Sequence, residues 1–294
     1  MTIDRLSIGT AQFGHDYGIT NRTGRVPRNE VFKILSAAEK AGIRSLDTAV
    51  NYGLSEKILG EYGINSFEVT TKLPQVKISE DINLWIKLEL ENSLNRLSLK
   101  KLPCVLLHST NQLKGDFGEE IWASLIDSKS DGKIDKIGYS IYHPNELDLF
   151  FEKFKPDVIQ APVNIFDQRL FKIGWIDELK KNNIEIQARS IFLQGILLME
   201  PSERPEEFQK WDRIWNEWDK KIIENKCSRL QACLYFIQNC RYLDKIVVGL
   251  DSIYHLNQII DVLASGSLID MNMNVNDDKL LNPLEWDYYA SLKK

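Results

Sequence analysis

Four side chains in the first third of the chain are of types that together can move a proton: Asp47, Tyr52, Lys72 and His108. A tyrosine hydroxyl is a poor acid at neutral pH because its free pKa is about 10. A buried lysine ammonium nearby would favour the phenolate and lower that value. Asp47 could keep such a lysine charged and in place, and His108 could donate a hydrogen bond to a substrate carbonyl. The set suits protonation of an oxygen that gains negative charge, as in reduction of a carbonyl by hydride. Taken singly, each residue has a plainer reading: a hydrogen-bonded strand-end histidine, a lysine reaching solvent, a tyrosine packing beside a loop glycine. Their spacing along the chain decides whether they meet.

That spacing follows an alternation of strands and helices. Short apolar runs stand near positions 6, 45, 69, 104, 137, 158, 186 and 246, each followed by a stretch with helical periodicity. Cys104–His108 reads CVLLH, continuously apolar as expected of a strand covered on both faces. Val31, Ile34, Leu35 and Ala38 make one helix face that ends at Gly42. Around Asp47 the segment RSLDTAVNYGLSEKILG reads as strand, turn and helix, with Leu46 burying the strand and Ser55 expected as helix N-cap before Glu56. The stretch from Gly9 to Arg28 reads as loop. Eight strand–helix units predict a closed, parallel (β/α)8 (TIM) barrel, a single domain over residues 1–294. No GxGxxG follows a strand, which weakens an open dinucleotide-binding sheet. In such a barrel the chemistry sits at the C-terminal strand ends, where Asp47, Lys72, His108, Ser140 and Gln160 fall, with Tyr52 in the loop after Asp47.

The connection between Ser190 and Lys245 is longer than one helix needs. Within it Trp211, Trp215 and Trp218 lie at i, i+4 and i+7, a stripe expected to dock on the barrel, the sharper alternative being an insertion that lines the substrate mouth. The tail beyond Asp270 has no room for another unit and is expected to pack outside. His15 and His143 are expected to be exposed loop residues, with substrate contact the alternative.

Composition narrows the partners. With 37 basic and 42 acidic residues the net charge is −5, which gives no case for nucleic acid or an anionic membrane. The four cysteines form no CxxC and neighbour no paired histidines, so neither a metal site nor a disulfide framework is expected. The N-terminus lacks a signal-peptide pattern and no apolar run approaches a membrane span, which places the expected protein in the cytoplasm. Its oligomeric state is not legible.

The motif D-T-A-x-x-Y-G-x-S-E-x-x-L-G, carried by Asp47 to Gly60, resembles the signature of the aldo-keto reductases. The resemblance extends to Thr71-Lys72, Leu107-His108, Gly138-Tyr-Ser140 and Val158-Ile-Gln160, and so covers nearly the whole chain from Leu6 to about Leu263. It implies a barrel that binds NADPH in extended form. It also implies roles: Tyr52 as general acid, Lys72 as its pKa-lowering partner, Asp47 pairing with Lys72, and His108 orienting the carbonyl. By the same likeness Thr10 and Asp47 approach the nicotinamide ribose, and Ser140 and Gln160 hold the carboxamide. The loop through Ser190, Leu193 and Gly195 wraps the pyrophosphate, and Gly249, Asp251, Ser252 and Gln258 meet the adenosine.

Three departures stand out. Ile141 replaces an asparagine that often follows the strand-5 serine. Arg189 stands where an aromatic residue often stacks on the nicotinamide; a guanidinium can stack as well, but brings charge. After strand 8, His255 is the one potentially cationic residue and Asp251 would repel a 2′-phosphate, so NADH is an alternative to NADPH. GTAQFG near the start and ARSIFLQGIL after strand 7 resemble a bacterial subgroup associated with sugar and surface-polysaccharide metabolism, which implies a keto-sugar or similar polar carbonyl as substrate. The alternatives are a Schiff-base lyase or aldolase on Lys72 and a non-catalytic cofactor-binding barrel.

Overall fold

The computed structural model describes residues 3–19, 21, 23–76, 81–266, 271 and 273–286. The far ends of two expected segments, the loop opened by Pro74 and the C-terminal tail, therefore lie partly outside the described residues.

Eight strands occur where the apolar runs predict them: β1 Leu6–Gly9, β2 Ser45–Asp47, β3 Glu68–Leu73, β4 Leu102–Leu107, β5 Ile134–Ser140, β6 Val158–Pro162, β7 Glu185–Arg189 and β8 Lys245–Gly249. Each pairs in parallel with the next, and β1 pairs with β8 to close the barrel. Closure leaves no exposed strand edge, so every ladder donor inside the ring finds an acceptor. The barrel floor is partly polar: Ser45 donates to Ser7 at 3.0 Å and Gln187 to Thr70 at 3.1 Å.

Helices pack around the ring by their apolar stripes. Arg28–Lys40 buries Val31, Ile34, Leu35 and Ala38 and ends before Gly42, whose φ of +86° continues the chain in the left-handed region. Ser55 does not cap its helix. It is the first residue of the Ser55–Tyr62 helix, and its hydroxyl donates to Thr10 Oγ1 at 2.7 Å while lying 3.0 Å from Thr48 Oγ1. Tertiary partners inside the barrel rim outcompete the local cap. Glu56 in the same turn is buried and accepts from Thr71 Oγ1 at 2.6 Å and Arg96 Nε at 2.7 Å. The expected loop after β1 contains a short helix, Ala11–Gly14.

The long connection after β7 runs through single 3-10 turns into the Asp212–Glu224 helix and then the Arg229–Asn239 helix, which a Ser228–Gln231 capping box starts. Trp211, Trp215 and Trp218 are buried in a second apolar cluster with Phe166, Phe208, Met273 and Trp286. The stripe docks, but into this second cluster and not on the barrel core as expected, and the insertion also lines the barrel mouth, which is the alternative reading. The tail supplies part of that cluster, and Ile222 and Leu284 reach the barrel mouth. Among the described residues no helix is long and apolar enough to cross a membrane.

Candidate active site

A cavity of about 820 Å³ opens at the C-terminal ends of the strands. Asp47, Tyr52, Lys72 and His108 all line it. Asp47 ends β2 and Lys72 stands one residue before the end of β3, so two neighbouring strands bring them together. Lys72 Nζ donates to Asp47 Oδ1 at 2.7 Å and to the Thr48 carbonyl at 3.0 Å, and its side chain is only 1% exposed. The other Asp47 oxygen accepts from Gln160 Nε2 at 2.6 Å. The carboxylate is thus fixed from two sides.

Tyr52 is held by its turn. The Gly14 backbone lies so close that a Cβ there would sit 1.5 Å from the Tyr52 carbonyl oxygen, and Gly53 turns the chain at φ +54°. Lys72 Nζ lies 5.2 Å from the Tyr52 ring centroid, and the His108 ring meets that of Tyr52 edge-on at 5.8 Å. Burial, reinforced by the Asp47 carboxylate, holds the Tyr52 hydroxyl well above its ordinary pKa. The resting electrostatics therefore differ from the lysine-lowered phenol that the residue types suggest. Lys72 is neutralised by Asp47, and Arg189 is the cation that draws the Tyr52 value down. Burial also lowers Lys72, against Asp47. His108 is pushed down to about 3 by burial and by the charges of Lys72 and Arg189, so it is neutral. Its Nδ1 is buried without a partner among the described residues.

Of the expected cofactor contacts, Thr10, Asp47, Ser140, Gln160, Arg189, Ser190, Gly195, Gly249, Asp251 and Gln258 line the same cavity. Leu193 and Ser252 do not. Leu193 turns into the second apolar cluster, and Ser252 caps the Ile253–Ser265 helix by accepting from the His255 amide. Thr10 donates its hydroxyl to the Asp47 carbonyl at 2.9 Å, which makes it a brace for β2. Ile141 buries its side chain in the barrel core and leaves its carbonyl to Arg189.

The polar atoms left over fit a nicotinamide dinucleotide. Gln160 Oε1 is buried with no partner among the described residues, an acceptor matched to a carboxamide N–H. The Ser140 hydroxyl accepts from Arg189 Nε at 3.2 Å and keeps its own proton to donate. Asp251 Oδ1, on the β8 side, is likewise buried and unpartnered. Ser190, Leu193 and Gln194 all have φ between +46° and +58°, a loop shape maintained by Asn164 donating to the Ser190 carbonyl and Gln194 to the Tyr17 hydroxyl. Among the described residues no group of three His, Cys, Asp or Glu side chains could hold a metal ion.

Several lining residues escape a reading by strand ends. His15, Tyr17 and Tyr142 surround Tyr52 from loops, and Arg229 enters from the helix after the insertion. His15 is not a free loop residue: its ring lies 6.0 Å from that of Tyr52. His143 lies outside the cavity lining, 3.7 Å from Asp278.

A closed parallel barrel with a buried lysine–aspartate pair beneath a rim tyrosine and histidine defines a narrow class of α/β-barrel proteins. The chain belongs to the aldo/keto reductase family, whose profile matches residues 5–280. It is similar to the glyoxal reductase of Bacillus subtilis (strain 168), 33% identical over 178 residues that cover 58% of this chain and 61% of that protein. An uncharacterised oxidoreductase of Schizosaccharomyces pombe is 29% identical over 195 residues, 57% of each chain. The chain thus spans about three-fifths of the length of these curated relatives. An aldo-keto reductase of Bacillus halodurans, solved in its holo form, superposes with a TM-score of 0.70 at 18% identity, covering 90% of this chain and 88% of that one. The glycerol dehydrogenase of Gluconobacter oxydans gives 0.68 at 24% identity, covering 90% and 87%. At these identities the two structures bear on the fold alone.

Proposed function

We propose that the chain is a nicotinamide-dependent oxidoreductase that reduces a carbonyl to an alcohol, with Tyr52 as general acid. The observation that carries this is the Tyr52 ring held between the Lys72–Asp47 pair and His108 in one cavity. When bound, the reduced dinucleotide supplies the hydride. Ser140 and Gln160 would hold its carboxamide, the Ser190–Gly195 loop its pyrophosphate, and Gly249, Asp251 and Gln258 its far end.

Tyr52 keeps its proton in the resting site and gives it up only as charge develops on the carbonyl oxygen. Lys72 then stabilises the phenolate through space, which is where its charge counts. His108, neutral, donates a hydrogen bond that fixes the carbonyl. Asp47, tied to Lys72 and Gln160, sets the lysine in position. The burial of Lys72 and its two hydrogen bonds speak against a Schiff base on its nitrogen, and the assembled cluster speaks against a purely binding role.

The polar groups around Tyr52 (His15, Tyr17, Asn51, Tyr142) suit a hydroxylated substrate such as a keto-sugar, and the name of the glyoxal reductase relative is in keeping with a small polar carbonyl. NADPH is the cofactor the family resemblance implies; Asp251 on the cavity wall favours NADH as the alternative. We place the protein in the cytoplasm.

The test is Tyr52→Phe on a substrate the wild type reduces. A positioned acid contributes about 10²–10⁴-fold, so kcat falls by that factor while the melting profile is retained. Turnover at the wild-type rate would overturn the acid role.

A further inference from the structure

Lys72, Arg189 and Arg229 are the lysine and arginine side chains that line the cavity. Lys72 is paired with Asp47, and Arg229 with Glu200 at 2.7 Å and Asp219 at 2.8 Å. Arg189 has no carboxylate partner among the described residues. It ends β7 opposite Pro162, two residues beyond Gln187, which bonds Gln160 and Thr70 inside the barrel. Alternation along a strand therefore sets Arg189 on the same inward row, at the rim beside Ser140.

The hydrogen bonds of Arg189 are directed along its edges. Nε donates to Ser140 Oγ at 3.2 Å, Nη1 to Ser190 Oγ at 3.1 Å and Nη2 to the Ile141 carbonyl at 3.0 Å. One face packs on the Tyr142 ring, 4.6 Å from its centroid. With three of its five N–H groups engaged, one on each nitrogen, and one face covered, the group offers a ligand its second face and at most single N–H groups of its edge. A carboxylate seeks the edge of a guanidinium, in bidentate geometry; a flat ring seeks the face.

We infer that Arg189 stacks on the nicotinamide ring and makes the site discriminate between the two redox states of the cofactor, holding the oxidised form more weakly. The inference rests on the nicotinamide reading above. The oxidised ring carries a positive charge and the reduced ring none, so a fixed guanidinium against it penalises only the oxidised state. The Tyr142 ring behind it moderates that field without changing its sign. For carbonyl reduction the consequence is useful: the spent cofactor leaves readily after each turnover, the step that often limits such enzymes.

The experiment is a calorimetric titration of the full-length protein with NADPH, NADP⁺, NADH and NAD⁺, for wild type, Arg189→Gln and Arg229→Gln. The wild type binds the reduced form of whichever cofactor it accepts more tightly than the oxidised form. Arg189→Gln tightens the oxidised form about tenfold and moves the reduced form by less than threefold, a change worth ~30 mV in the potential of the bound two-electron couple. Arg229→Gln leaves the oxidised-to-reduced ratio unchanged, because the Arg229 charge is already offset by Glu200 and Asp219. A wild type that prefers the oxidised form overturns the inference without any variant. So does an Arg189→Gln protein in which both forms shift equally or neither moves, and a raised KM for acidic substrates alone would then assign Arg189 to a substrate carboxylate. Failure of the wild type to bind any of the four overturns the nicotinamide reading as well.

Discussion

Replacing Asp47 by Asn removes the counter-charge of a buried lysine. Lys72 is 1% exposed and Asp47 5%, and Arg189 adds a further repulsion. Breaking a buried pair on one side costs about 3–5 kcal/mol because the remaining charge stays uncompensated. The protein has an escape, since Lys72 can lose its proton. Holding a lysine neutral at pH 7 costs ~4.6 kcal/mol relative to a free value near 10.4, and this sets the ceiling. At pH 9 the same ceiling is ~1.9 kcal/mol. In the variant the folded pKa of Lys72 lies far below its unfolded value, so between the two the unfolded state binds more protons and stability rises with pH, by up to about 1.4 kcal/mol per unit. Urea unfolding of wild type and Asp47→Asn at pH 7, 8 and 9 measures this directly. We expect a loss of about 3–4 kcal/mol at pH 7 that shrinks to about 2 kcal/mol or less at pH 9. A penalty under 1 kcal/mol at pH 7, or one that does not change with pH, would refute the view of Lys72 as a buried charge held by this carboxylate.

Three other outcomes follow from the same site and its support. His108 sits at about 3 in the folded protein against about 6.5 when unfolded, so it contributes stability that is complete above 6.5 and is lost as pH falls toward 3. A His108→Gln variant should therefore show a shallower acid limb in thermal melts, and a wild-type kcat/KM profile should show no inflection from His108 between pH 5 and 8. Glu56→Gln weakens the bond from Arg96 and the one from Thr71, next door to Lys72, and should lower stability by about 2 kcal/mol, read as a shift in urea midpoint at constant m-value.

The strands were legible because most of their residues are buried and they are short, so a run such as Cys104–Leu107 reads as strand by its length and its place in the alternation. That Asp47, Lys72 and His108 meet in one cavity was legible because strand ends converge in a barrel, and the motif after Asp47 placed Tyr52 beside them. What escaped was decided by contacts distant in sequence. Ser55 has the type of a cap, but Thr10 and Thr48 reach it first. The sign of the Tyr52 shift depends on depth of burial, which spacing does not encode. Leu193 and Ser252 fall in the right segments, but the local turn aims one inward and gives the other to a helix start. Tyr17, Tyr142 and Arg229 arrive from loops and from the insertion, where no periodicity marks a direction.

The two apolar clusters of this chain are distinct, and Phe192 and Phe236 are among the few side chains that touch both. One is the barrel; the other belongs to the cap built from the loop after β7, the Asp212–Glu224 helix and the tail. The cavity wall is drawn from both, with Asp47 and Lys72 on the barrel side and Ile222, Pro283 and Leu284 on the cap side. A ligand lying between them acts as a bolt through a seam. A ligand bound there would hold barrel and cap together and by mass action would raise the apparent stability with the logarithm of its concentration.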